Sequence, residues 1–341
     1  MIWLTWRQFR IQFLITIGVV AALIAYTLYV GYSVRSSYHS DVLGCVPADG
    51  CDLSGAERLF LEKQHGPVAV LSLLLYAAPA ILGIFWGAPL VSRELEAKTH
   101  RLVWNQGVTR SRWLAFKLAI IALAGAAVAG VFSLALTWAA SRYDQVDGDR
   151  FAPLSFASRN IVPAGYAVFA LVLGATVGLI IRNTVAAMAT ALVLIGLLQM
   201  LAPMMARPYL RPPVTETVAF TVDAVRQHDG TVARGGDGFV ALKGYQVPGA
   251  LMVTSSARLL NEAGNAVTNS ETQDCLTPGA RAGGGTSPIV SCLAGRNLHF
   301  EVSYHPASRY WSFQWMELAG FLILTGLVSA IAFWRIRHVH G

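Results

Sequence analysis

Residues 92–113 read SRELEAKTHRLVWNQGVTRSRW, and this polar stretch lies between two long apolar runs. Its first half has the spacing of a short amphipathic helix, with Leu95, Leu102 and Val103 on one side and charged residues on the other. A basic amphipathic helix at a membrane surface can lie on lipid headgroups or dock into a partner protein. The same charge also suits an ordinary positively charged cytoplasmic loop, so the pattern leaves both interpretations open.

The composition predicts an integral membrane protein. The chain has 341 residues, of which 55% are hydrophobic and 13% charged, whereas soluble domains are roughly 25% charged. A span needs about 20 apolar residues. Six stretches reach that length, and the first is too long for the apolar core of a signal peptide. They are Ile11–Tyr32, Val68–Val91, Leu114–Ala140, Val162–Ile181, Val185–Met205 and Met316–Trp334.

The basic residues divide by membrane side. Eleven of the 26 Lys and Arg residues flank the spans at the N-terminus, residues 92–117, the Arg182-Asn183 turn and the tail, against Glu94 and Glu96 alone. The remaining basic residues are balanced by acids. The positive-inside rule therefore predicts a multi-pass protein of the cell membrane with both termini cytoplasmic. The basic residues do not cluster on one soluble face, so we expect no nucleic acid partner.

All four cysteines fall on the predicted outer, oxidising side. Cys45 and Cys51 lie in the first outer loop, and Cys275 and Cys292 lie in the large outer segment. This distribution predicts the disulfides Cys45–Cys51 and Cys275–Cys292. A zinc site is the competing interpretation, but no His neighbours either pair at ligand spacing, and we expect no bound metal.

The segment 207–309 differs from the rest of the chain because it is rich in Gly and polar residues. It predicts a small mixed α/β extracytoplasmic domain between the fifth and sixth transmembrane helices, which separates residues 1–206 from the last helix and tail, residues 310–341. Alternation of apolar and polar residues indicates strands, and one further stretch reads as helical. The strands are Val218–Val225, Phe239–Val247 and Leu298–Tyr304, and the helix is Leu251–Glu262.

Glu317 is the only acid predicted inside a span. An intramembrane carboxylate is a candidate functional group, although its position near the start of the last helix also suits capping or pairing. The sequence contains no P-loop and no Ser/His/Asp, Cys/His or paired-carboxylate set at one membrane depth. We therefore expect a non-catalytic membrane subunit that binds no cofactor itself.

Residues 85–117, FWGAPLVSRELEAKTHRLVWNQGVTRSRWLAFK, resemble the permease subunits of type-2 ATP-binding-cassette (ABC) exporters. The shared block is Arg-Glu-x-Glu-x-x-Thr-x-x-Leu followed by a later Arg. Lys98 stands where many members have Gly. Residues 304–317, YHPASRYWSFQWME, resemble an actinobacterial subgroup with an enlarged last outer loop. The residues of this chain that match the Arg-Glu-x-Glu-x-x-Thr-x-x-Leu block and its later Arg are Arg93, Glu94, Glu96, Thr99, Leu102 and Arg110.

The resemblance implies two permease copies, or a related pair, and two separate ATPase subunits that bind ATP and magnesium. In the family this block forms a coupling helix that docks on the ATPase. By analogy the ATPase contacts are Arg93, Glu94, Glu96, Arg101 and Trp104. In similar permeases the second and fifth spans line the pathway, which by analogy assigns Ser72, Tyr76, Gln199 and Met200 as lining residues.

Two functions remain open. The uncharged spans and the docking loop favour an exporter subunit for an amphipathic or apolar substrate in the lipid membrane. The hundred-residue outer segment favours a sensor or binding module that captures a ligand and signals to an inner-membrane partner.

Overall fold

The computed structural model describes residues 2–45, 51–97, 109–228, 230–234, 237–275 and 288–338. The chain divides into two compact units. We call the first the membrane unit, and it comprises Met1–Gly148, Ala152–Arg207 and Trp311–Gly341. The second, the inserted unit, comprises Asp149–Phe151 and Pro208–Tyr310.

Six helical segments of the described chain are long and apolar enough to cross a membrane, which confirms the six predicted spans. A single π-helical turn, Gly83–Gly87, joins α2 to α3, so these two form one continuous span. π-Helical turns also follow α1, over Tyr38–Leu43, and α7, over Ala202–Ala206. The helices are α1 Ile2–Ser37, α2 Leu53–Leu82, α3 Ala88–Glu96, α4 Arg110–Asp147, the short α5 Pro153–Ala157, α6 Val162–Ile181, α7 Thr184–Leu201 and α10 Tyr310–Arg337.

Successive spans run in opposite directions, so the membrane unit has two distinct ends. We call the end where α3 and α6 finish and α4 and α7 begin the basic end, and the other the opposite end. At the basic end a buried cluster joins Val91 and Leu95 of α3 to Trp113 of α4 and Ile336 of α10. At the opposite end another cluster joins α1, α2 and α4.

Helix α6 lies at the centre of the membrane unit. In its most apolar window 72% of residues are buried, against 17 to 33% in the other five spans. It packs on α2, α3, α4 and α7. A Cβ atom on Gly87 would lie 2.7 Å from the carbonyl oxygen of Leu171, and one on Gly83 would lie 2.8 Å from that of Ala170. The backbones of the second span and α6 are therefore in direct contact, as small residues allow in membranes.

Large apolar side chains also cover the outward faces of the spans. Leu123 of α4, Val185 of α7 and Ile323 of α10 are all exposed. In water such faces would be costly, whereas hydrocarbon accepts them. This explains why the chain is so apolar although much of its apolar surface lies outside the core.

The helix ends at the basic end are set by local capping. The side chain of Thr109 accepts a hydrogen bond from the N–H of Arg112 at the start of α4. Arg182 ends α6 in the left-handed conformation, with φ of 57°. Asn183 then accepts from the N–H of Ala186 at 2.9 Å. This two-residue connection makes α6 and α7 a tight hairpin.

The described residues of the inserted unit form a small antiparallel sheet with two short helices, as the sequence predicts in outline. Its strand order is β1–β6–β5–β3–β2, and β4 pairs separately with β6. The apolar core of the sheet includes Phe220, Leu259 and Phe300. The elements are β1 Val214–Ala219, α8 Val222–Gln227, β2 Thr231–Arg234, β3 Val240–Lys243, β4 Leu251–Met252, β5 Ser256–Leu260, α9 Pro288–Ala294 and β6 His299–His305.

Two predictions of secondary structure in this unit are wrong. Leu251–Glu262 is not helical, because β5 alternates buried and exposed side chains in a period of two and pairs with β3 and β6. The strand predicted over Val218–Val225 stops at Ala219. Thr221 then caps α8 by accepting from the N–H of Ala224 at 3.1 Å, a local signal that outweighs the apolar alternation.

The cysteines form the two disulfides that the sequence predicts. Cys45 bonds Cys51 with their Cα atoms 5.6 Å apart, and Cys275 bonds Cys292 with their Cα atoms 5.7 Å apart. Cys275 is buried in the core of the inserted unit. The second disulfide therefore joins the loop after β5 to α9.

Candidate functional site

Tyr76 of α2 and Gln199 of α7 hold each other through two hydrogen bonds. The Tyr76 hydroxyl donates to the Gln199 carbonyl oxygen at 3.1 Å, and the Gln199 amide donates to the Tyr76 carbonyl oxygen at 2.9 Å. Pro203 has no N–H to offer the Gln199 carbonyl one helical turn later, so the tyrosine hydroxyl satisfies a carbonyl that proline frees. The second and fifth spans are thus joined at this depth.

The other two residues assigned to the pathway lie elsewhere. Ser72 is buried, donates to the Val68 carbonyl oxygen at 2.8 Å and accepts from Arg159 at 2.9 Å. Met200 is 64% exposed on the outward face of α7. The structure therefore brings Tyr76 and Gln199 together, and it places Ser72 and Met200 in different surroundings.

Arg159, in the connection between α5 and α6, is the centre of a buried polar cluster. Its Nε and Nη2 atoms bond the carboxylate of Asp144 at 3.0 and 3.3 Å, and its Nη1 atom bonds Ser158 at 2.8 Å as well as Ser72. Its side chain is 4% exposed. Planar guanidinium geometry allows all of these bonds at once. The cluster joins α2, α4 and the start of α6 at the opposite end.

Glu317 is paired. Its carboxylate accepts two bonds from Arg207, at 3.1 and 3.2 Å, and a short bond from the Tyr166 hydroxyl. The guanidinium also stacks 4.0 Å from the ring centroid of Phe156. Of the alternatives that the sequence leaves open for Glu317, pairing is the one the structure contains. This second buried cluster joins the segment that follows α7 to α6 and α10.

At the basic end, α3 is bonded to the first residue of α7. Thr184 donates to Glu96 twice, from its hydroxyl at 2.7 Å and from its N–H at 3.3 Å. The buried Ser92 hydroxyl donates to the Thr184 hydroxyl oxygen at 3.1 Å. The N-terminus of α7 is therefore capped by a carboxylate from another helix.

The same helix is bonded to α4 through Lys117. The Lys117 ammonium forms an ion pair with Glu94, donates to the Leu90 carbonyl oxygen at 3.2 Å and lies 4.4 Å from the ring centroid of Trp113. Three different groups therefore contact this one cation. They attach α3 to the first turns of α4.

The residues assigned to an ATPase contact thus differ in whether they are bonded to other helices. Glu94, which is half-buried, and Glu96, which is exposed, are both bonded to other helices of the membrane unit. The Arg93 side chain is exposed and has no partner among the described residues. Arg101 and Trp104 lie outside the described residues.

The sequence profile described as "ABC-2 membrane transporter related" matches residues 17–207, more than half of the chain. The chain belongs to the ABC-2 membrane transporter related family. Members of such families are typically non-catalytic permease subunits, and membership implies an ATPase partner in general terms. No curated protein and no solved structure matches the chain.

The ABC-2 related region includes most of the site. It contains α2 to α7, and with them the Tyr76–Gln199 pair, the Arg159 cluster and the bonds of α3 to α4 and α7. It ends at Arg207, which is also where the membrane unit gives way to the inserted unit. Residues 208–310 of the inserted unit and α10, with Glu317, lie outside the matched region of this ABC-2 related chain.

Sequence reasoning missed five residues that organise this ABC-2 related bundle: Asp144, Arg159, Tyr166, Arg207 and Lys117. Arg159 and Arg207 flank spans as ordinary interfacial basic residues do. The neighbouring sequence therefore does not indicate that their side chains are buried. The one available signal was Glu317, because a lone acid within a span requires a partner.

Proposed function

We propose that this chain is the permease subunit of an ATP-driven exporter, coupled to a separate ATPase through the loop after the second span. The observation that carries this proposal is the attachment of α3, the helix that leads into that loop, to both α4 and α7. A membrane-spanning chain of this family, without a P-loop, needs a partner to hydrolyse ATP. A helix fixed to two spans is suited to pass on the partner's movement.

The substrate we propose is amphipathic or apolar. Helix α7 carries no charged residue, and residues 66–92 of the second span carry none. A pathway between these spans would offer hydrocarbon walls with isolated hydrogen-bonding groups, and Tyr76 and Gln199 would supply such groups. Their mutual bonds hold the two spans together, so we propose that this contact separates during transport.

The orientation and assembly follow from the same proposal. The basic end would face the cytoplasm, as the positive-inside rule requires. The inserted unit would be extracytoplasmic, which suits its disulfide between Cys275 and Cys292. A second copy of this chain, or a related permease, and two ATPase subunits would complete the transporter, with ATP and magnesium bound by the ATPase.

Affinity purification of the tagged chain in mild detergent, followed by mass spectrometry, tests the proposal. We expect a soluble protein with a P-loop to copurify in stoichiometric amount. The Arg93→Glu variant should lose it, whereas Tyr29→Phe, a change on the exposed face of α1, should retain it. Repeated absence of such a protein, with the chain still folded, would overturn the proposal.

The alternative function is a membrane sensor whose inserted unit captures a ligand. The observation that favours it is that this unit has its own core and disulfide. Val214 and Tyr304 are neighbours on β1 and β6, so deletion of Val214–Ser303 joins two points that already lie side by side. Transport that survives the deletion favours the exporter, and loss of signalling with ATPase coupling intact favours the sensor.

A further inference from the structure

We infer that Glu94 and Glu96 are transmission contacts inside the permease, which pass movement of the coupling loop to α4 and α7, while Arg93 provides the docking contact. This inference rests on the proposed function and changes the role that the family resemblance implies for both acids. Each acid is a positioning residue, since it acts through another span.

The bond between Glu96 and Thr184 joins α3 to the N-terminus of α7. The first N–H groups of a helix have no partner within it, and the helix dipole places partial positive charge there. Asn183 satisfies one of these groups, and Glu96, from another span, satisfies the N–H of Thr184. A negative charge at this point stabilises α7 only while α3 keeps its place.

The Ser92 hydroxyl strengthens this attachment from a buried position. Ser92 and Glu96 are one turn apart on α3, so both reach the same residue, Thr184. Three hydrogen bonds therefore join the last turn of α3 to the first residue of α7. A displacement of α3 must either move the start of α7 or break them.

Glu94 makes the corresponding attachment to α4. Its ion pair with Lys117 is partly buried, and Lys117 is also held by the Leu90 carbonyl and the Trp113 ring. The cation is therefore fixed in one place, and the carboxylate is fixed with it. A pull on α3 is transmitted to α4 through this pair.

The helical geometry separates the three roles. Successive residues of a helix are about 100° apart, so Glu94 and Glu96 point about 200° apart, toward different neighbours. Leu95 is buried between them, and Arg93, two residues before it, lies on the outward side. The arrangement places the contacts of Glu94 and Glu96 on the two flanks of α3, and the Arg93 side chain, which has no partner in the described part of the chain, faces away from the bundle.

The contacts with Glu96 and with Tyr76 lie near opposite ends of α7. Thr184 and Gln199 are fifteen residues apart on one helix, about 22 Å at 1.5 Å per residue. Because both residues belong to one continuous helix, a movement at the start of α7 also moves Gln199 relative to Tyr76. The contact at Glu96 would in this way control whether the second and fifth spans separate.

The test uses the full complex of permease and ATPase, with Tyr76→Cys and Gln199→Cys as a cross-linking reporter that needs no known substrate. In the reporter alone, we expect ATP, magnesium and vanadate to lower the cross-link yield. Addition of Glu96→Ala should leave the ATPase bound and active but reduce that nucleotide-dependent change at least tenfold. Glu96→Gln, which keeps an acceptor oxygen, should restore part of it.

A second experiment exchanges the charges of Glu94 and Lys117. Glu94→Lys and Lys117→Glu should each abolish the nucleotide response, and the double variant should recover part of it, as no purely structural loss would. Recovery is partial because a carboxylate at position 117 cannot replace the contacts with the Leu90 carbonyl and the Trp113 ring. If the ATPase failed to copurify with the Glu96→Ala variant, as we expect for Arg93→Glu, Glu96 would be a docking residue. That result would overturn the inference. An unchanged cross-link response in Glu96→Ala would do so as well. Absence of any ATPase from the unsubstituted chain would instead overturn the proposed function.

Discussion

The guanidinium of Arg207 bonds both carboxylate oxygens of Glu317, at 3.1 and 3.2 Å, and the two side chains are 1% and 6% exposed. Arg207 is the last residue of the membrane unit before the inserted unit, and Glu317 follows soon after the chain returns. The pair therefore joins the segment that follows α7 to α10. Removal of one partner from such a pair leaves a buried charge uncompensated, which costs far more than the pair itself contributes.

Glu317→Gln is accordingly expected to destabilise the membrane unit strongly, by about 3 to 5 kcal/mol, since the Arg207 charge loses its partner. The measurement is the midpoint of thermal unfolding in detergent. The double variant Arg207→Met/Glu317→Leu should recover most of the loss. Arg258→Ala, which breaks an exposed pair with Asp237 in the inserted unit, should leave the midpoint of the membrane unit unchanged. A midpoint for Glu317→Gln equal to that of the unsubstituted chain would show that the pair is not needed.

Gly87→Ala should disrupt the packing of the second span on α6. The added Cβ would lie 2.7 Å from a backbone carbonyl oxygen of α6, which cannot rotate away. We expect lower yield of folded protein and loss of the nucleotide response. Gly130→Ala on α4 is the matched control, because nothing lies within 4 Å of its Cβ position and the change raises helix propensity. Equal behaviour of the two variants would contradict the close contact.

Tyr76→Phe should weaken the contact between the second and fifth spans while leaving the Gln199 amide bond in place. The Gln199 carbonyl loses its donor, which costs about 1 kcal/mol or somewhat more. If separation of these spans accompanies turnover, ATP hydrolysis by the complex should rise roughly fivefold without substrate, by the usual relation of 1.4 kcal/mol to a factor of ten. Tyr29→Phe is the control. An unchanged basal rate would show that the bond does not limit opening.

Replacement of Cys275 and Cys292 by Ser should destabilise the inserted unit by about 3 kcal/mol on the chain-entropy estimate for a loop of this size. The cysteines are 17 residues apart, and Cys275 is part of the core. Hydrogen exchange at β3 and β6 would measure the loss. Replacement of Cys45 and Cys51, which are only 6 residues apart, should leave exchange in these strands unchanged. Protection unaffected by the loss of Cys275 and Cys292 would show that the core suffices without them.

The sequence by itself determined the six spans, the tight turn at Arg182 and Asn183, and the presence of a separate unit before the last span. These features depend on runs of apolar residues and on capping side chains, which act over a few neighbouring positions. The same local reasoning failed over Leu251–Glu262, because pairing of β5 with two other strands decides its conformation.

Only the tertiary structure decided which polar groups meet. Arg207 and Glu317 are 110 residues apart, Ser72 and Arg159 are 87 apart, and Glu96 and Thr184 are 88 apart. Nothing local distinguishes a basic residue that turns into the bundle from one that stays at the interface. The choice depends on which carboxylate or carbonyl the packing of α6 against its neighbours brings within reach, since a charge is buried only where a partner is already held in place.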